Sequence, residues 1–130
     1  MAKRILIVDD EKDVRSVLDK GLTEKGYSII SADNGSDAIM LAKSEHPDLI
    51  VLDILMPGMD GTEVAAELRE NPETEDIPVM FLTCLYPKEK EAERGNMVGA
   101  HLMFAKPYDI EEVLTAIETL MREKKRISVE

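Results

Sequence analysis

The chain predicts a doubly wound α/β sheet of five parallel strands alternating with five helices, and two observations carry that prediction. Short apolar runs recur at residues 5–8, 27–30, 49–52, 79–82 and 102–105. The stretches between them carry apolar residues at helical spacing. The first run, Ile5-Leu6-Ile7-Val8, and the third, Leu49-Ile50-Val51-Leu52, are apolar throughout, as strands covered on both faces of a parallel sheet must be. Right-handed crossovers then leave very few topologies.

The helices follow in order. Val14, Val17, Leu18 and Leu22 are spaced i, i+3, i+4, i+8, and Gly26 stops that helix. Ala38, Leu41 and Ala42 mark the second, with Asn34 or Ser36 as its N-cap. Asp60 and Glu63 form a capping box ahead of Val64 and Leu68 in the third. The fourth, at 88–94, is thin, with Ala92 its one apolar residue and Gly95 at its end. In the fifth, Ile110, Val113, Leu114, Ile117, Leu120 and Met121 share a face behind an Asp109/Glu112 box. The charged residues after Met121 are expected to fray or to begin a linker. No internal repeat or low-complexity segment interrupts the pattern.

Composition narrows the function classes. Acidic residues number 27 and basic residues 16, a net charge of −11, and 44% of the chain is hydrophobic against 33% charged. That is the balance of one globular domain. The single Cys84 has no internal disulfide partner, so a reducing compartment is expected. No apolar run approaches the roughly 18–20 residues that span a bilayer, and the N-terminus lacks the pattern of a signal peptide. The acidic pI of about 4.6 argues against nucleic acid as the direct ligand. The expectation is a cytoplasmic, acidic, single-domain protein without membrane contact.

The chemistry sits where the strands end. Asp9 and Asp10 follow the first run and Asp53 follows the third. Ligands of open parallel sheets bind beyond the carboxyl ends of the strands, near the topological switch point. With strand order 2-1-3-4-5, the first and third strands are neighbours and the three carboxylates converge. Two carboxylates about 4 Å apart repel by roughly 4 kcal/mol at an effective dielectric near 20. Three together call for a cation among them or for retained protons. Carboxylate oxygens without Cys or His nearby favour Mg²⁺ or Mn²⁺ over zinc. The plainer reading is that such aspartates start turns or cap the next helix, as Asp10 could. Thr83 follows the fourth run and Lys106 the fifth, just before Pro107. A hydroxyl and an ammonium at this edge suit an anion beside the metal, such as a phosphoryl group. Taken singly, Thr83 reads as a helix N-cap and Lys106 as a solvated surface lysine.

With these residues in place, the sequence resembles the receiver domains of two-component response regulators, the CheY-like fold, from Lys3 to about Arg122. The matching segments are LIVDD (6–10), LIVLDILMPGMDG (49–61), PVMFLT (78–83) and AKP (105–107). The resemblance implies a receiver domain over 1–122 and a charged tail or linker start over 123–130. It implies that Asp53 is the phosphoacceptor and that Asp10, Asp53 and the Leu55 backbone carbonyl ligate Mg²⁺, with Asp9 acting through water. Thr83 would bind a phosphoryl oxygen and relay the switch, and Lys106 would pair with the phosphate. Pro57 and Gly61 match the loop after the phosphorylated strand. The implied partner is a sensor histidine kinase or a histidine phosphotransfer protein, docking on the first helix and the active edge. The implied output surface is the fourth helix, fifth strand and fifth helix, and a homodimer through that face is compatible with it. Such a domain catalyses only its own phosphorylation and dephosphorylation.

Three departures from the family pattern bear on function. The switch position three residues before the lysine, usually aromatic, is Met103; alternation sends Phe104 to the opposite face. A thioether serves either as a softer switch or as ordinary packing. Cys84 stands where the family has a very small residue, narrowing access to Asp53, and reads as an inert buried thiol. Leu55 and Leu85 occupy positions that influence phosphoryl loss, and neither can hydrogen-bond an attacking water, so slow self-dephosphorylation is expected. His46 and His101 have no partner at metal-ligand spacing and read as loop residues. The thin fourth helix is expected to be among the least stable elements.

Other classes fit less well. A haloacid-dehalogenase-type phosphatase needs a second acid two residues after its nucleophile, where this chain has Leu55. A flavodoxin-like nucleotide binder needs a Gly/Ser/Thr-rich loop after the first strand, where it has Asp9-Asp10-Glu11. A degenerate receiver, serving as a phosphorylation-independent interaction module, is kept alive by the missing aromatic and opposed by the intact site residues.

Overall fold

Alternation along the strands assigns each residue to one of two apolar layers. The computed structural model describes residues 3–53, 58, 61–83, 97–98, 101–105 and 110–129. Its elements are β1 (Arg4–Val8), α1 (Lys12–Glu24), β2 (Ser28–Ala32), α2 (Gly35–Glu45), β3 (Leu49–Asp53), α3 (Gly61–Glu70), β4 (Val79–Thr83), β5 (Met97–Val98), β6 (His101–Ala105) and α4 (Ile110–Val129). Leu6, Val8, Ile50, Leu52, Val79 and Phe81 turn to one face, where Ala38 and Ala42 of α2 and Val64 and Leu68 of α3 cover them. Ile5, Ile7, Leu49, Val51 and Met80 turn to the other, under Leu18 and Leu22 of α1 and Val113, Leu114, Ile117 and Met121 of α4. A fully buried Leu or Ile contributes about 1.5–3 kcal/mol relative to exposure, so register is strongly enforced on both faces.

The sheet order is β2-β1-β3-β4-β6-β5. From β1 to β2 the chain steps outward over α1; to reach β3 it doubles back, so α2 crosses on the other face. The first four strands take the expected order 2-1-3-4, all parallel. The expected fifth strand is β6, parallel to β4. The described sheet has six strands, because β5 adds an antiparallel edge pairing Met97 with Leu102 and Val98 with His101. Only Gly99 and Ala100 separate those strands in sequence, a spacing that two-residue hairpins use. A two-residue strand is too short to announce itself by periodicity. Four helices are present among the described residues; the one expected at 88–94 lies outside them.

Several local expectations are met and others corrected. Gly26 ends α1 with φ +96°. Its N–H donates to the Thr23 carbonyl at 3.0 Å and Tyr27 N–H to the Leu22 carbonyl at 3.1 Å, a Schellman motif. Tyr27 thereby closes the helix instead of opening a strand, and β2 runs on to Ala32. Asn34 caps α2, its side-chain oxygen accepting from Asp37 N–H at 2.8 Å. Asp60, Asp109 and Pro107 lie outside the described residues. Val17, placed by spacing on the buried stripe of α1, is 52% exposed, and the inward row is Leu18 and Leu22 with Val14 half-buried. His46 is the C-cap of α2 in the left-handed region, φ 44°, and His101 begins β6 instead of lying in a loop. The tail expected to fray continues as helix to Val129: no Gly or Pro follows Ile110, and Arg, Glu and Lys propagate a helix readily.

Thr74, which periodicity passes over, is buried after α3. Its hydroxyl donates to the Leu68 carbonyl at 2.6 Å, closing a helix end whose backbone contact there is Asn71 N–H at 3.4 Å. Thr74→Val is expected to cost about 1–2 kcal/mol in denaturant unfolding, with Thr74→Ser milder. Gly26→Ala is expected to cost about 1–2 kcal/mol through backbone strain alone, since nothing lies within 4 Å of an added Cβ.

Candidate functional site

The β1–β3 ladder builds the site. Its pairs run from Ile5 with Leu49 to Val8 with Leu52, so one further step sets Asp9 beside Asp53. Asp53 ends β3 and shares the parity of Leu49 and Val51, which places it on the α1 and α4 face. Asp9 is 2% exposed and Asp53 3%, while Asp10 is exposed. Carboxylate oxygens from the three lie within 4.8 Å of one another. Unit charges at that separation repel by about 3–4 kcal/mol at an effective dielectric near 20, less where Asp10 meets water.

The backbone holds Asp9 in place. Its N–H donates to the Ala32 carbonyl at 3.2 Å, continuing the β1–β2 ladder by one rung. Its Oδ1 accepts the Glu11 N–H at 2.9 Å, an Asx turn at the entry to α1. Glu11, the N-cap of α1, makes no side-chain cap of its own. The turn-forming role open to Asp10 in the sequence therefore falls to Asp9, which leaves Asp10 turned toward solvent. One aspartate thus serves both readings, backbone turn and carboxylate cluster.

Of the other expected site residues, Thr83 ends β4 one step past Leu82, the register partner of Asp53. It pairs with Ala105, the residue before Lys106. Met103 pairs in register with Phe81 and Phe104 with Leu82. Leu55, Pro57, Cys84, Leu85 and Lys106 lie outside the described residues. Gly61 is buried at the start of α3, and Gly58 is exposed with φ +84°. Arg15 was not singled out by the sequence: half-buried on α1, it donates from Nη1 to the Asp9 carbonyl at 2.7 Å. An arginine set between Val14 and Leu18, five residues past an acidic pair, is the signal that could have marked it.

The donor set fits a hard divalent cation. Three carboxylates supply oxygen ligands only, two of them buried and one of those, Asp9, held by the Glu11 N–H, and the exposed side at Asp10 leaves room for waters or a substrate oxygen, as Mg²⁺ requires. None of the described helices is long and apolar enough to cross a membrane.

Comparison with known proteins bears on the same residues. The family model for the response regulator receiver domain matches residues 5–118. The response regulator MprA of Mycolicibacterium vanbaalenii is 39% identical over 124 residues, 94% of this chain and 52% of that protein. The probable transcriptional regulator ycf27 of Porphyra purpurea is 36% identical over 126 residues, 97% of this chain and 50% of that protein. The chain thus spans about half the length of these relatives. Among solved structures, the Vibrio cholerae chemotaxis protein CheY4 superposes with a TM-score of 0.79 at 29% identity, covering 92% of this chain and 99% of that one. The Thermotoga maritima response regulator TrrA, solved in complex with Mg(2+)-BeF, gives 0.74 at 34% identity, covering 91% and 98%. An acidic cluster at the β1–β3 switch point of a CheY-like sheet, matched over most of the chain by this family, makes the protein a member of the response regulator receiver domains of two-component signalling.

Proposed function

We propose that the chain is a Mg²⁺-dependent phosphoacceptor that takes a phosphoryl group on Asp53 from a phosphohistidine of a sensor histidine kinase or histidine phosphotransfer protein. The observation that carries this reading is the convergence of Asp9, Asp10 and Asp53 within 4.8 Å. The relative solved with Mg(2+)-BeF supports the choice of metal.

The chemistry follows from the groups present. Asp53 is a buried carboxylate at a strand end, and one of its oxygens attacks phosphorus in line with the leaving imidazole. A phosphorus–oxygen bond forms, the phosphorus–nitrogen bond breaks, and its electron pair leaves with the imidazole nitrogen. Asp10, Asp53 and the Leu55 carbonyl would hold a divalent cation, with Asp9 acting through water, and that cation would supply charge neutralisation for the phosphoryl oxygens. Lys106 pairs with the phosphate and the Thr83 hydroxyl takes one of its oxygens. The added charge of about −1.5 to −2, with phosphoserine as guide, then biases a two-state surface through Thr83 and Met103. The output face comprises segment 88–94, β6 and α4, with a homodimer as one way of using it. The domain acts on itself only, and hydrolysis of the acyl phosphate resets it.

Intact mass after incubation with acetyl phosphate tests the proposal. The wild type is expected to gain one phosphoryl group only with Mg²⁺, and Asp53→Asn none. No gain, together with no Mg²⁺ binding, would leave the phosphorylation-independent interaction module as the reading. Because Leu55 and Leu85 cannot orient water, the added mass is expected to decay over hours, not seconds, after acetyl phosphate is removed.

A further inference from the structure

Asp9 and Asp10 are joined by one rigid peptide plane, and the setting of that plane decides where the Asp10 side chain begins. The preceding peptide is still held by the sheet, through Asp9 N–H and the Ala32 carbonyl. The 9–10 peptide has left the β1 ladder, and its carbonyl accepts from Arg15 Nη1 at 2.7 Å. Arg15 is itself anchored in the first turn of α1, its N–H donating to the Glu11 carbonyl at 3.2 Å, and Glu11 N–H returns to Asp9 Oδ1 at 2.9 Å. Residues 9, 11 and 15 therefore close a ring of hydrogen bonds around the two aspartates. A charge-assisted bond of this length is among the stronger and more directional kinds.

We infer that Arg15 is a positioning residue for the divalent-cation site: it holds the 9–10 peptide so that the carboxylates of Asp9 and Asp10 converge on Asp53. The inference rests on the phosphoacceptor reading above and adds a residue to it. It also separates two things an arginine beside carboxylates can do. A mere counter-charge competes with an incoming cation, so its removal tightens Mg²⁺ binding. A positioner works the other way, and its removal weakens binding, as loss of outer-shell partners does by about 10–100-fold at metal sites.

The test is Mg²⁺ affinity by calorimetry for the wild type, Arg15→Met, Arg15→Lys and the control Lys20→Met, which removes a charge from an exposed position on the same helix. Arg15→Met is expected to bind Mg²⁺ about tenfold more weakly. The Mg²⁺ concentration for half-maximal labelling by acetyl phosphate should rise by the same factor, with the labelling rate at saturating Mg²⁺ retained. Arg15→Lys, which restores a donor, recovers part of the loss, and Lys20→Met stays at wild type. Unchanged or tighter binding in Arg15→Met overturns the inference, as does a lowered melting temperature with affinity intact. If Arg15→Met does not fold, wild-type affinity in Arg15→Lys and Arg15→Gln overturns it, and a graded fall from Lys to Gln supports it. Absence of Mg²⁺ binding in the wild type is a separate result: it overturns the phosphoacceptor reading and this inference with it.

Discussion

The register between β1 and β3 is the constraint on which the rest depends. Val8 pairs with Leu52, and everything chemical happens one step beyond, where Asp9 comes beside Asp53. A slip of one residue would turn Ile5 and Ile7 into the layer that belongs to Leu6 and Val8, and would separate the two carboxylates in the same motion. The apolar layers and the acidic cluster are therefore specified together. Burial energy on two faces thus brings Asp9 and Asp53 to neighbouring strand ends against their mutual repulsion, and the bond from Arg15 to the Asp9 carbonyl acts on the peptide that follows.

Sheet topology supplies the second requirement, access. Because the chain leaves β1 outward over α1 and returns over α2 to β3, the helices part at the carboxyl edge between those strands. Asp9 and Asp53 are sheltered there while Asp10 meets solvent. That asymmetry suits a hard cation, which needs fixed oxygen donors on one side and exchangeable ligands on the other.

Most of this was legible in the residues. The all-apolar runs at 5–8 and 49–52 marked central strands, and aspartates at their ends marked the site, because pattern and position there are set by local sequence. Gly26 and Asn34 were readable for the same reason: a left-handed C-terminal residue and an N-cap are one-residue events. What escaped depended on contacts distant in sequence or too short to show a period. Val17 fits the helical stripe by spacing, yet Leu18 and Leu22 define the face that meets the sheet. β5 has two residues and exists through pairing with β6. Thr74 and Arg15 matter through side-chain hydrogen bonds to backbone carbonyls, which periodicity does not show, although the place of Arg15 between Val14 and Leu18 was a signal in the sequence. Which aspartate makes the turn was likewise invisible, since Asp9 and Asp10 are chemically identical and only the pleat tells them apart.

The contact between Gly21 and Leu114 gives the fold a steric constraint. Glycine in the middle of a helix costs about 1 kcal/mol relative to alanine. At this position an added Cβ would lie 3.4 Å from the Leu114 side chain, so α1 and α4 approach closely. Leu114 is buried in the same layer as Leu18 and Leu22, one and two turns beyond the arginine that grips the end of β1. Any residue larger than glycine at position 21, on the same helix that Arg15 fastens to the strand-end peptide, would therefore meet α4 at Leu114.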